Sequence, residues 1–175
     1  YEGIQYEYYR PTVYFGIKPS GRSALSVRGR FGDGVDYANN RAATSVVQVA
    51  PALEYRPASR VSLQLSYNLD QLSVGGGRLY QANLGQLKAI YHINVRTFVR
   101  AILQYTDISR DPDLYLFPVA LRTRRFFSQY LFSFKLNPQT VCFAGYSDNA
   151  AAVRSNDLQQ QNRTLFVKLG YAWAV

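Results

Sequence analysis

The sequence predicts an all-β protein built as an antiparallel up-and-down barrel, and three observations support this fold class. Apolar and polar residues alternate with a period of two along most of the chain, which is typical of strands with two chemically different faces. Aromatic residues make up 15% of the 175 residues and Met is absent, a composition that favours strands. Tight turns and longer polar connections alternate between the apolar segments, which is typical of a meander of hairpins.

About nine strands are expected within one domain, 1–175, that has no internal linker. The clearest strand is 61–70, in which every odd position is apolar and every even position is polar. The final segment, 164–175, alternates in the same way, with Phe166 as the exception. The remaining strands are expected at roughly 5–18, 23–36, 44–56, 79–93, 95–107, 124–137 and 140–147.

The connections between these strands fall into two groups by length. Tight turns rich in Pro, Gly, Asn and Ser are expected at 19–22, 57–60, 92–94 and 137–140. Longer polar connections are expected at 36–43, 73–78, 107–123 and 147–161. Short turns at one rim and long loops at the other are typical of an outer-membrane barrel. The sequence contains no apolar run of 18 residues, so a transmembrane helix is excluded.

The aromatic residues favour a transmembrane barrel whose apolar face contacts lipid. Amphipathic rings form girdles at the two interfaces of a membrane, and a soluble core would rarely hold so many phenol hydroxyls without partners. The rings expected on the apolar face near strand ends are Tyr55, Tyr67, Tyr91, Tyr105, Tyr130, Tyr171 and Trp173. The alternative is a soluble, lipocalin-like ligand-binding β-barrel, for which this chain length and a meander would be normal.

The formal net charge of +9 arises from 20 basic and 11 acidic residues. Basic residues predominate on the polar side of the predicted strands, where only Glu54 and Asp70 oppose them. A water-filled lumen would therefore carry a positive potential and favour anions. The alternative is that these cations pair with carboxylates on other strands or on a plug. The residues expected to line the lumen are Arg28, Arg30, Arg56, Lys88, Arg96, Arg100, Lys135 and Lys168.

Other polar groups support no catalytic, metal or cofactor site, and nothing indicates a nucleic-acid partner. The one His, His92, lies at a predicted tight turn, and the one Cys, Cys142, has no His near it in the predicted register. Asp107, Asp111 and Asp113 lack the spacing of a calcium loop, so a solvated loop is the simpler interpretation.

Five arginines are expected near the rim with the long loops, at the height of the outer leaflet. There they would contact the phosphates of lipopolysaccharide through charge-assisted hydrogen bonds. Ordinary solvated loop charge is the alternative interpretation. These residues are Arg122, Arg124, Arg125, Arg154 and Arg163.

The last residues, Lys168-Leu-Gly170-Tyr-Ala-Trp173-Ala-Val175, resemble the β-signal of bacterial outer-membrane proteins. That signal combines a polar residue, a Gly and alternating hydrophobic residues, and the barrel-assembly machinery reads it. The resemblance implies that Lys168, Gly170, Trp173 and Val175 act as an assembly signal. Val175 departs from the pattern, because Phe is commonest at the last position.

A second resemblance covers roughly residues 95–175. The earlier strands share only their general pattern with it. This region is similar to the C-terminal barrel of the DUF5916 family, which comprises large proteins of Gram-negative bacteria with an N-terminal domain similar to a family 9 carbohydrate-binding module. The motifs that carry the similarity are Gln104-Tyr-Thr-Asp107, Arg110-Asp-Pro112, Phe127-Ser-Gln129, Lys135-Leu-Asn-Pro-Gln-Thr140, Gly145-Tyr-Ser-Asp-Asn149 and Arg163-Thr-Leu-Phe-Val-Lys168.

The DUF5916 resemblance implies a barrel in the cell outer membrane. The leading interpretation is a porin-like protein that acts as a pore or as an anchor for a carbohydrate-related partner domain. The resemblance implies no catalytic residue, so enzymatic activity is not expected of this region. Complete single-chain bacterial barrels have an even number of strands. Nine strands therefore predict the C-terminal part of a larger barrel, and the alternative is an eight-stranded barrel with residues 1–12 as an arm.

Overall fold

In a computed structural model, which describes residues 7, 9–137, 139–153 and 157–172, the chain forms a single antiparallel sheet of nine strands. Each strand pairs with its neighbours in the sequence, so the order is β1 to β9 without a crossover. The strands are β1 (Thr12–Ser20), β2 (Ser23–Asp36), β3 (Arg41–Ala58), β4 (Val61–Val74), β5 (Gly77–Asn94), β6 (Thr97–Arg110), β7 (Arg122–Asn137), β8 (Thr140–Val153) and β9 (Gln159–Tyr171).

The predicted all-β, up-and-down class is confirmed, but the sheet is not closed into a barrel. Strands β1 and β9 form its two edges and do not pair with each other. A single 3₁₀ turn, Pro112–Leu114, is the only helical element among the described residues. None of the helical structure described is long and apolar enough to cross a membrane.

Several strands extend beyond their predicted limits. Strand β8 continues past Ser147 to Val153, and only 75–76 separate β4 from β5, so the predicted long loop at 73–78 is a tight turn. Polar residues extend these strands because backbone pairing does not require apolar side chains, as the pairing of Ser128 with Asp148 illustrates. The segment 111–121 is the longest connection described in full.

Alternation along each strand gives the sheet an apolar face and a polar face. Residues that pair across strands share a face, and the rows of the apolar face continue through all nine strands. In the central strands this apolar face is the more exposed one: Leu65 is 51% exposed, whereas Gln86 and Arg100 on the polar face are half-buried. Members of the apolar face include Phe15, Ile17, Leu25, Val27, Leu53, Leu63, Leu65, Leu87, Val99, Tyr130, Phe132, Val167 and Leu169.

The hairpins at the tight-turn rim are displaced along the strands in one direction. Ser23, at the start of β2, pairs with Tyr55, and β3 runs three residues further to Ala58 before the next turn. The same step of three residues separates Tyr91, the partner of Val61, from Asn94, and Phe134, the partner of Thr97, from Asn137. This step of three residues accumulates over the two strands of one hairpin. With about 3.3 Å per residue and about 4.8 Å between strands, it amounts to about 10 Å along the strands for about 10 Å across them, which corresponds to a strand tilt of about 45°.

A small hydrophobic core lies at the rim opposite the tight turns. It consists of Ala43, Val46, Leu72, Val74 and Leu79. Leu114 and Tyr115 pack against it from the connection between β6 and β7, and Tyr80 packs against it from β5. Among the described residues, the packed core of the sheet therefore lies at this end.

Candidate functional site

Nearly all the basic residues that the sequence predicts to line a lumen lie on the polar face. The exception is Arg96, which lies in the turn 95–96, where its amide donates a hydrogen bond of 2.8 Å to Asn94 Oδ1. The strand predicted to begin at 95 begins at Thr97 instead, because this side-chain hydrogen bond fixes a turn. The residues that share the polar face are Arg28, Arg30, Arg56, Lys88, Arg100, Lys135 and Lys168.

None of the seven predicted lumen cations on the polar face takes part in an ion pair within the described part of the chain. Glu54 accepts a hydrogen bond of 3.3 Å from Gln64 Nε2, and Asp70 lies against the hydroxyl of Tyr80. The Nε of Arg100 is buried without a hydrogen-bond partner. The positive charge of this face is therefore not cancelled by the acidic residues on it.

The charged residues on the apolar face are arranged differently. Asp107 accepts two hydrogen bonds from Arg122, at 2.9 and 2.5 Å, in a bidentate ion pair. Asp148 accepts from Arg163 Nε at 3.3 Å and from the hydroxyl of Tyr146 at 3.1 Å. These charges lie beyond the apolar rows, toward the rim away from the tight turns, and they are paired.

The five rim arginines predicted to contact lipopolysaccharide do not share one face. Arg122, Arg124 and Arg163 lie on the apolar face, whereas Arg125 lies on the polar face. Arg154 lies outside the described residues. Alternation of side chains along a strand separates Arg124 from Arg125, so of the four described arginines three share the apolar face.

A cleft of about 490 Å³ lies on the polar face between β6, β7 and β8. Arg110 and Arg125 provide its charge, and no acidic residue lines it. Arg110 Nη1 donates a hydrogen bond of 3.2 Å to Thr123 Oγ1. Arg125 is exposed and has no hydrogen bond or ion pair with the described residues. The other lining residues are Gln104, Thr106, Ile108, Thr123, Phe127 and Asn149.

The segment 111–121, here called the strap, lies across the same end of the polar face. It is fixed at both its start and its middle: the amide of Asp111 donates to Leu79 O at 3.1 Å, and Leu114 packs on the small core. The hydroxyl of Tyr115 in the strap lies near Arg110. Burial raises the pKa of the Tyr115 hydroxyl, and the nearby Arg110 opposes that shift. The strap therefore connects the cleft to the core.

The β2–β3 loop holds the strap from the other side. Arg41 Nη2 donates to Leu114 O at 2.5 Å, and Asn39 Oδ1 accepts from the amide of Leu116 at 2.9 Å. Asp36, only 2% exposed, organises this loop by accepting from the amides of Ala38 and Asn39 and from Arg41 Nε at 2.9 Å. No pattern in the sequence indicated this arrangement, since it joins residues more than 70 positions apart.

The remaining candidate residues are spread over the sheet. Asp107 lies in β6 and forms an ion pair with Arg122. Among the described residues, no group of three metal-ligating side chains occurs. His92 lies near the end of β5 against the ring of Phe98, and Cys142 lies between Phe134 and Leu169 on the apolar face.

Lys168 and Gly170 of the predicted assembly signal lie in β9 on the polar face, whereas Trp173 and Val175 lie outside the described residues.

Comparison with known proteins gives no match: no family model, no curated protein and no solved structure is similar to this chain. The resemblance of residues 95–175 to the DUF5916 barrel therefore stays a prediction. The class that the fold defines is an open, nine-stranded antiparallel meander with one apolar and one basic face.

Proposed function

We propose that this chain is the membrane-embedded part of a bacterial outer-membrane β-barrel protein, which acts as a pore or as an anchor for a carbohydrate-related partner domain. One observation carries the proposal. The apolar face runs across all nine strands and is exposed, with Leu65 at 51%, Leu165 at 78% and Leu169 at 70%. In the described part of the chain no second layer packs on it.

An apolar surface of this extent needs a partner, because large exposed apolar patches are rare on soluble proteins. Hydrocarbon tails of lipid would cover it at every point without a second layer of protein. The polar and basic face would then line the interior, as in barrels whose strands alternate between lipid and lumen. The proposal thus gives each face a solvent that matches its chemistry.

The strand geometry also supports the proposal. A tilt of about 45° lies at the upper end of the range of transmembrane strands. The interior strands β2 to β8 have 14 to 18 residues, and about 9–11 tilted residues are enough to cross the hydrocarbon layer. Each of them is therefore long enough to cross and to extend into the headgroup region.

The two edges of the sheet set a condition on the proposal. Unpaired backbone groups are costly in hydrocarbon, so β1 and β9 must pair with further strands or with each other in the membrane. Strand β9 carries Lys168 and Gly170 of the segment that resembles a β-signal. We propose that the barrel-assembly machinery reads this segment while the edge is still open.

The exposure of the two faces favours this function over a soluble lipocalin-like barrel. A soluble barrel encloses its apolar face and presents the polar face to water. Here the apolar side chains of β4 to β7 are the more exposed ones, and Leu131 and Ser133 on the polar face are buried.

The test uses the full-length protein, reconstituted into vesicles of outer-membrane lipids. We expect flotation with the vesicles, heat-modifiable migration on a gel, and a strand tilt of about 45° by polarised infrared spectroscopy. A protein that stays soluble and monomeric without detergent would contradict the proposal, as would strands lying parallel to the membrane plane.

A further inference from the structure

The cleft between β6, β7 and β8 has the composition of an anion site. Two guanidinium groups, Arg110 and Arg125, face the same space from adjacent strands, and none of the lining residues is acidic. Gln104, Thr106 and Asn149 add neutral hydrogen-bonding groups. Its volume of about 490 Å³ is within the range of small-molecule sites.

We propose that this cleft binds small oxyanions, carboxylates or phosphate esters, and that it selects them for passage along the polar face. The proposal rests on the proposed function, because it treats the polar face as the wall of a water-filled pore. It names the class of solute that such a pore favours and the two residues, Arg110 and Arg125, that select it.

The two arginines are suited to different parts of this task. Arg110 donates a hydrogen bond of 3.2 Å to Thr123 Oγ1, which holds one end of its guanidinium in place. Arg125 has no partner among the described residues, which leaves its donors available. A planar guanidinium binds carboxylate or phosphate through two parallel hydrogen bonds. A fixed donor beside an available one gives an oxyanion two contacts in one cleft.

The pairing of charges on the two faces supports a role in binding. On the apolar face Asp107 and Asp148 are each paired with an arginine, so each of these two carboxylates has a partner cation. On the polar face the seven predicted lumen cations, Arg110 and Arg125 have no ion pair with an acidic residue in the described part of the chain. Unbalanced like charges repel one another, and in a narrow aqueous path they raise the local concentration of anions.

The experiment measures ion selectivity of the full-length protein in planar lipid bilayers. The zero-current potential under a KCl gradient gives the ratio of anion to cation permeability, and added inorganic phosphate tests for block of the chloride current. The wild type is expected to be anion-selective and blocked by phosphate. The double variant Arg110→Gln, Arg125→Gln is expected to lose block and to show a several-fold lower permeability ratio.

Arg124→Gln is the matched control, since it removes the same charge from the neighbouring residue on the opposite face. It is expected to keep the wild-type selectivity and block. Cation selectivity of the wild type, or equal effects of the control and the double variant, would overturn the inference.

Insertion is measured separately for every variant by flotation and heat-modifiable migration. Failure of the wild type to insert refutes the proposed function. Insertion without any conductance overturns the inference alone and leaves the barrel as an anchor.

Discussion

Replacement of Leu65 by Arg tests most directly which solvent covers the apolar face. Leu65 lies in β4, four residues from Val61 at the tight-turn rim, with Leu53 and Leu87 as its cross-strand neighbours. At a tilt of about 45°, four residues correspond to about 10 Å of depth from that rim. This places the side chain well inside an apolar band about 25 Å tall.

The expected magnitude differs sharply between the two environments. An arginine near the bilayer midplane costs about 2–4 kcal/mol, so Leu65→Arg should lower the free energy of unfolding by about 2–3 kcal/mol in lipid. The same substitution at a side chain that is 51% exposed to water would change stability by about 0.5 kcal/mol or less.

Gln64→Arg is the control, one residue away on the polar face. Gln64 lies opposite Lys88 and donates to Glu54, so attraction and repulsion offset each other and the expected change is within about 0.5 kcal/mol. The assay is guanidinium unfolding of the protein in lipid vesicles, followed by tryptophan fluorescence. Equal destabilisation by the two variants would refute the assignment of the faces.

Three other perturbations have definite expected outcomes. Asp36→Ala removes a buried acceptor of several hydrogen bonds and should lower the free energy of unfolding by about 2–3 kcal/mol. Limited proteolysis of this variant should cut within the strap, and an uncut strap would contradict its anchoring by the β2–β3 loop. A double-mutant cycle on Asp107 and Arg122, whose side chains are 17% and 52% exposed, should give a small coupling that weakens as salt is added. A salt-independent coupling would argue against an exposed pair. Deletion of 171–175 should abolish outer-membrane insertion measured by cell fractionation, because it removes Trp173 and Val175 from the segment that resembles the β-signal. His92→Ala should leave insertion unchanged, and normal insertion of the truncated protein would refute that role for the segment.

The sequence was sufficient to predict the strands and their faces. Period-two alternation determines which side chains share a side, and it placed Arg28, Lys88 and Lys168 together although they lie on different strands. Strand ends were less predictable, because the polar residues that end an apolar pattern, such as Asp148 and Asn149, still continue the backbone ladder.

The sequence did not predict the cleft, the strap or the ion pairs at the rim. Arg110 falls within 107–123, which was expected to be a long loop, and Arg125 is the second residue of the expected strand 124–137, so the sequence did not indicate that the two share one face of adjacent strands. The pairing of Asp107 with Arg122 depends on register between two strands. Register is a tertiary property, and a single sequence constrains it only where short turns fix it.

The anchoring of the strap has a consequence for the order of folding. Arg41 and Leu114 are 73 residues apart, and four strands, β3 to β6, lie wholly or partly between them. Adjacent hairpins close short loops, whereas this contact requires the whole of that region to be assembled first. We therefore expect the strap to dock late in folding, after the neighbouring strands have paired and while the end of the polar face is still open.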